Sequence, residues 1–485
     1  MIANKNLAPA FDITHRDNLL NHVSRRDVFS QLGLGATALA LTALLSDAEA
    51  QTPVVRGYNL LPKSPHFAPK VKRVIYLFQN GGASQVDLFD PKPELNKQSG
   101  QKPGKGFVND VDEKKTGTWL GTPFAFKRYG KSGMELSELL PELGKHADEI
   151  ALIRSMVSEH ENHEQACCHM HTGSPVAGRP TMGAWITYGL GTENQNLPAY
   201  VALLSPTGQP VDGSRNWSSG WMPPVYQGMP VRSTETSPIL NLESGIPQNA
   251  NEARLQFLQT LNREHFKTHA DNLELDARIA NFELAARMQL AATDALDVNK
   301  ESAITRKMYG LDEPASAVYG RQCLMARRLV ERGVRFVQVM MAGQPWDTHS
   351  DNANQLRSLT KSTDLPVAGL LADLKQRGLL DDTLVIWTGE FGRTPFAEGK
   401  DGRDHHKRGF SLWFAGGGVK GGTTHGATDE FGYRSVQDIV TASDFHATIL
   451  HLLGLDFQRL TFRYDTRDQR LTDVQPAKVV KPVLA

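Results

Sequence analysis

The sequence predicts an α/β protein in which a mostly parallel sheet carries helices on both faces. Three observations predict it. Apolar runs of strand length, without polar alternation, recur along the chain; amphipathic stretches closed by glycine stand between several of them; and conspicuous polar residues follow the ends of the runs. A strand buried on both faces reads as a continuous apolar run, and strands that alternate with helices build a parallel sheet covered on both sides.

Taken in order, the elements begin with an address. Ser24-Arg25-Arg26-Asp27-Val28-Phe29 leads into a weakly apolar stretch ending at Leu45, and Ala48-Glu49-Ala50 supplies a small-x-small cleavage pattern. Serines, glycines and threonines make that stretch too polar for a good membrane span. Paired arginines before it resemble a twin-arginine export signal over residues 1–50. The resemblance implies that the twin-arginine machinery exports the folded chain to a periplasmic or extracellular location, with no stable membrane span after cleavage. Residues 51–69 are proline-rich without periodicity and read as a linker or wrapping arm.

The main domain is expected over residues 70–475, followed by a tail over 476–485. Its strands are expected at residues 74–78, 150–153, 200–204, 336–341, 384–387 and 410–414. Helical patterns over 317–332, 366–377 and 447–453 end at Gly333, Gly378 and Gly454, the C-terminal stop that helices favour. Residues 205–250 break the alternation with Gly, Pro and Ser, and residues 251–300 read as long amphipathic helix. Together they predict an insertion, 205–305, acting as a cap.

Composition excludes several classes of function. The 485 residues carry 53 Lys plus Arg against 53 Asp plus Glu, so the basic excess of a phosphate-neutralising nucleic-acid binder is missing. Hydrophobic residues make up 40% and charged residues 22%, enough for a large core and unlike a disordered chain. Cys167, Cys168 and Cys323 are too few for a disulfide framework and are expected as buried free thiols, with a bridge from Cys323 to the adjacent pair left open.

Sites in open parallel sheets form beyond the carboxyl ends of the strands. Here those ends deliver Asn80, the Trp346-Asp347-Thr348-His349 loop and Glu390, and Asp404-His405-His406 enters the strand at 410–414. Asp347 and His349, two apart, share one side of an extended segment. Carboxylate and imidazole converging on a point is what a zinc, manganese or iron site requires. The densest cluster holds His160, His163, His169 and His171. If Asn162 caps a helix, His163 stands in its first turn, where backbone N–H groups face outward. His160 and His163 share a face, whereas His169 and His171 fall on different faces and are expected as core residues.

Gln79-Asn80-Gly81-Gly82-Ala83-Ser84-Gln85-Val86-Asp87, Trp346-Asp347-Thr348-His349, Gly389-Glu390-Phe391-Gly392-Arg393-Thr394-Pro395 and Asp444-Phe445-His446-Ala447-Thr448 resemble the alkaline-phosphatase-like superfamily. Within it they resemble the exported bacterial family called domain of unknown function 1501, over roughly residues 70–475. The resemblance implies a three-layer sandwich, a nucleophile at a helix N-terminus, and one or two divalent metals acting on a phosphate or sulfate ester. Where sulfatases place the nucleophile, counted back from Thr172, this chain has His163. The first metal carboxylate is replaced by Asn80, with Asp87 as the nearby alternative, and the usual Asp-His pair by Glu390-Phe391.

The expectation is therefore an exported metal-dependent hydrolase of phosphate or sulfate esters, possible substrates including glycan-linked ones. Asp347, His349, Glu390 and His405 or His406 hold the metal, with zinc, calcium and manganese open. His163 or His160 acts as general base, or His163 as a nucleophile. Arg393 or Lys407 binds an anionic group. Trp217 and Trp221 either stack on a sugar ring or pack beneath the cap. The alternative is a non-catalytic exported binding or assembly protein that keeps the hydrolase fold.

Overall fold

The computed structural model describes residues 59–104, 117–233, 239, 246–269 and 272–485. The expected export signal over residues 1–50 lies outside the described residues. Eight strands form the main sheet: β1 (Arg73–Phe78), β2 (Ile150–Met156), β3 (Tyr200–Leu204), β4 (Met229–Arg232), β5 (Phe336–Met340), β6 (Thr383–Thr388), β7 (Phe410–Gly416) and β8 (Thr423–His425). Their spatial order is β8-β2-β7-β6-β1-β5-β3-β4. All neighbours run parallel except β7, which is antiparallel to both β2 and β6.

The continuous apolar runs have a direct cause. In β1, Ile75 and Leu77 point into one core while Val74, Tyr76 and Phe78 point into another, because successive side chains of a strand alternate between faces. Helices α1 (His163–Thr172), α2 (Met182–Leu190) and α7 (Ala442–Leu452) cover the Tyr76 face. Helices α5 (Ala317–Glu331) and α6 (Asn352–Gln376) cover the Ile75 face. Each fully buried side chain of the size of Leu77 adds roughly 1.5–3 kcal/mol to the stability of this three-layer arrangement.

Helix α6 starts at Asn352, well before the apolar pattern that begins at Pro366. Thr360, Thr363 and Asp364 are buried on its first half, so polar residues occupy the face that a hydrophobic stripe would have marked. Asp364 accepts hydrogen bonds from the backbone N–H groups of Glu142 (2.8 Å) and Leu143 (2.9 Å).

Helices α3 (Gln248–Lys267) and α4 (Leu273–Leu296) belong to the segment expected as a cap. Met229–Arg232 of the same segment extends the sheet as its edge strand, and α4 packs on α5 and on the Pro224–Tyr226 turn. Pro230, which cannot donate to a further strand, blunts that edge. The described part of the proline-rich arm lies along the domain, with Lys63 N–H bonded to Leu190 and Lys70 N–H to Leu452. The chain end also packs: Val483 is buried and Ala485 N–H bonds to Gly418. Cys167, Cys168 and Cys323 are free thiols. No helix of the described residues is long and apolar enough to cross a membrane.

Candidate metal centre

The strand ends place four loops at one edge of the sheet. β1, β5 and β6 deliver Asn80, the Asp347 turn and Glu390, and β2 leads into α1. Because β7 runs the opposite way, its beginning lies at this same edge, which brings His405 there from the preceding segment. Two glycines let the loops cross. A Cβ on Gly81 (φ 108°) would lie 2.5 Å from the Asp347 nitrogen, and one on Gly402 would lie 1.8 Å from the His349 carbonyl oxygen.

Asn162 caps α1, its side chain accepting from the Glu164 N–H at 3.0 Å, which sets His163 at the first helical position. From there His163 meets Asp347 and His405, and His349 reaches the same Asp347 and His405 from the other loop. Asp347 Oδ1 lies 2.9 Å from His349 Nε2, 3.1 Å from His405 Nε2 and 3.3 Å from His163 Nε2. The Nε2 atoms of His349 and His405 are 3.0 Å apart. The opposite nitrogen of each ring faces an oxygen. His163 Nδ1 lies 2.7 Å from Glu390 Oε1, His405 Nδ1 lies 2.6 Å from the Glu161 carbonyl, and His349 Nδ1 contacts the Glu398 carboxylate.

Those three oxygens can only accept hydrogen bonds, so each neutral imidazole carries its hydrogen on Nδ1 and presents an Nε2 lone pair. Three lone pairs thus gather about Asp347 Oδ1, each nitrogen within 3.3 Å of it. Two facing Nε2 atoms at 3.0 Å repel unless a proton or cation lies between them. Metal-bound histidines are held in this manner, with the second nitrogen donating to a carboxylate or carbonyl. The residues present therefore fit a divalent cation, and the combinations His163, Asp347, His405 and His349, Asp404, His405 both bring their ligand atoms within 4.8 Å of one another.

The electrostatics agree. Burial lowers the pKa of His163, but contacts with Asp347 and Glu390 outweigh it and raise the value to about 9. Burial likewise works against ionised Asp347, yet His163, His405 and Arg393 hold its carboxyl well below the usual range. The cluster thus favours positive charge at its centre. Phe391 closes one side, its ring 4.9 Å from that of His163 and 4.8 Å from that of His405.

The other expected site residues fall elsewhere. His406 faces away from His405, as adjacent strand residues must; it is buried, stacks on Tyr433 at 5.0 Å and contacts the Tyr433 carbonyl. Burial pushes its pKa down to about 4. Asp87 is paired with Arg403 at 2.7 Å, and Asn80 donates to the carbonyls of Met341 and Gly343. Glu390 stands behind His163 and also accepts from the Gly81 N–H at 2.8 Å. Arg393 is 0% exposed and its guanidinium is spent on the carbonyls of Gly81, Gly82 and Arg403 and on Asp347. It positions Asp347, and with four of its five N–H donors already bonded and no exposed surface it is poorly placed to meet a substrate anion. His160 is half-buried before α1 and takes no part in the cluster. Lys407 is half-exposed at the rim, 4.0 Å from Glu161. Trp217 is buried, whereas Trp221 is half-buried, stacks on Tyr464 at 4.9 Å and meets Trp185 edge-on. Glu398 and the Glu161 carbonyl are the contributors that the residue pattern did not single out.

The family model DUF1501, described as a protein of unknown function, matches residues 71–484. The chain belongs to this family. No curated protein matches it. Among solved structures, the chain is similar to the lipoteichoic acid synthase LtaP from Listeria monocytogenes. That match has 10% identity and a TM-score of 0.37, and covers 86% of this chain and 78% of the other. It is also similar to a protein in the alkaline phosphatase superfamily from Vibrio parahaemolyticus, with 11% identity, a TM-score of 0.34 and coverage of 86% and 74%. PsFucS1 sulfatase from Pseudoalteromonas sp. shows 13% identity, a TM-score of 0.33 and coverage of 84% and 72%. In this DUF1501 member the segment Glu390 to Arg393 supplies both the support for His163 and the guanidinium that holds Asp347.

Proposed function

We propose that the protein is an exported, divalent-metal-dependent hydrolase of phosphate or sulfate esters. The observation that supports it is the convergence of three Nδ1-anchored imidazoles on Asp347 Oδ1. His163, His349, His405 and Asp347 would hold the ion. A set of three nitrogens and one oxygen suits zinc, with manganese or iron next, and is poor for calcium, which takes six to eight oxygens. A bound ion supplies Lewis acidity toward an ester oxygen.

The chain's own residues do the rest. Glu390, Glu398 and the Glu161 carbonyl hold each ring in one tautomer, and Arg393 keeps Asp347 ionised and in place. Phe391 keeps water from one side of the rings. Lys407, at the rim, offers a charge to an anionic substrate group. Ester chemistry enters from the motif resemblance, and export to the periplasm or beyond from the arginine pair near the N-terminus.

One observation favours a second reading. His163 occupies the helix start where a hydroxyl or thiol nucleophile would stand, and both of its nitrogens face the cluster residues. A binding protein that uses the metal without turnover fits that arrangement. The test is metal analysis of the mature protein, followed by assay on 4-nitrophenyl phosphate and 4-nitrophenyl sulfate. Bound metal with metal-dependent release of nitrophenol supports the hydrolase; bound metal without turnover on either ester supports the binding protein.

A further inference from the structure

The loops that carry Asp347, His349 and His405 are locked together by two arginines without exposed surface, Arg393 and Arg403. Arg403 forms a fork on Asp87, with Nε 2.7 Å from Oδ2 and Nη2 3.1 Å from Oδ1, and its Nη1 donates to the Thr394 carbonyl at 3.0 Å. Its backbone N–H donates to the Thr348 carbonyl at 3.0 Å, and its own carbonyl accepts from Arg393 Nη1 at 3.1 Å. Asp87 accepts further from Ser84 Oγ at 2.6 Å and from Asn352 Nδ2 at 3.0 Å, while Asn352 Oδ1 accepts from Thr348 Oγ1 at 2.7 Å.

One ion pair thus touches the segment after β1, the turn that holds Asp347 and His349, and the segment that delivers His405. Continuity with the cluster is short: Asp87 to Arg403, through the Arg403 carbonyl to Arg393, and from Arg393 to Asp347 Oδ1. Both members of the pair are 0% exposed. A buried ion pair adds little net stability over apolar packing, whereas a bidentate fork fixes direction as well as distance.

We propose that Asp87 and Arg403 are positioning residues, which set the spacing between the Asp347–His349 turn and His405 so that the imidazoles meet over Asp347. The proposal rests on the reading of those residues as a metal site. Burial works against ionised Asp87, and Arg403 outweighs it, holding the carboxyl below its usual range.

The test uses the mature full chain, with zinc titration and the visible absorption of cobalt(II), which reports ligand geometry. Asp87→Asn and Arg403→Lys are compared with Arg327→Lys, which weakens another buried ion-pair group, Arg327 with Glu301 and Asp373, behind the sheet on α5. Asp87→Asn should raise the zinc Kd about 10–100-fold, as loss of residues supporting a metal site does. It should keep one stoichiometry and shift the cobalt bands. Arg403→Lys should do so less, and Arg327→Lys should lower the Tm while leaving zinc affinity and the cobalt bands as in the wild type. Should Asp87→Asn not fold, Asn352→Ala removes one hydrogen bond to Asp87, keeps both charges, and should shift the same two readouts in the same direction. Wild-type zinc affinity and cobalt bands in the folded variants, whatever their Tm, overturn the proposal. A wild-type chain that binds neither ion overturns the metal reading itself, and the proposal with it.

Discussion

His163 and His171 stand on the same helix, yet they do opposite things. His163, at its start, joins His349 and His405 around Asp347, and carboxylates on both of its nitrogens raise its pKa to about 9. His171, near its end, packs on the Phe78 ring at 4.3 Å and on Tyr76, and burial drives its pKa down to about 3. His446 shares that fate, with a pKa of about 3, its Nε2 2.9 Å from the Met170 carbonyl. The contrast teaches that a histidine's role is decided by what faces its two nitrogens. Oxygen acceptors on both nitrogens draw positive charge to the ring, whereas burial among aromatic rings keeps it neutral.

The largest effect that would break the comparison is loss of the carboxylate. Asp347→Ala should abolish zinc binding, well beyond the about 10–100-fold cost of losing a supporting residue, with metal content after dialysis as the readout. Next comes a support: Glu398→Ala leaves His349 free to turn and should weaken zinc within that about 10–100-fold range, while the fold is retained because Glu398 is 39% exposed. In the core set, His171→Phe should leave zinc affinity as in the wild type, measured by the same titration.

A further contrast lies in acid. For His171 and His446 the folded pKa is depressed, so the unfolded chain binds the proton first. The stability they contribute is complete above the unfolded value near 6.5 and is lost as pH falls toward 3. Between pH 7 and pH 5 each should cost about 2 kcal/mol. His171→Phe should flatten that fall, as urea midpoints at the two pH values will show. The smallest effect is expected at the rim, where Lys407→Ala should raise KM for an anionic aryl ester by only about two- to fivefold, as a half-exposed charge is screened.

Much of the fold was legible because burial on two faces leaves a mark in composition. The run at residues 74–78 shows it, since each alternate residue enters a different core. The first half of α6 was hidden because threonines and Asp364 fill its buried face. In the site, Asp347 and His349 were visible through their two-residue spacing, and His163 through its place after Asn162. His405 and His406 were indistinguishable as neighbours; only the pairing with Arg393 and Gly392 decides which one turns to the cluster. Arg393 read as a substrate ligand because its charge is evident in sequence, while the three carbonyls that consume it come from distant segments. Glu398 was not singled out, and Asp87 read as a metal carboxylate where it pairs with Arg403, for the same reason: their partners lie far along the chain.

The central claim is that His163, His349, His405 and Asp347 share one cation. X-ray absorption at the zinc edge of the zinc-loaded mature protein tests it most directly. The account predicts a first shell of nitrogen and oxygen at about 2.0–2.1 Å with the outer-shell signature of three imidazoles. A sulfur shell near 2.3 Å, or fewer than two imidazoles, would contradict it.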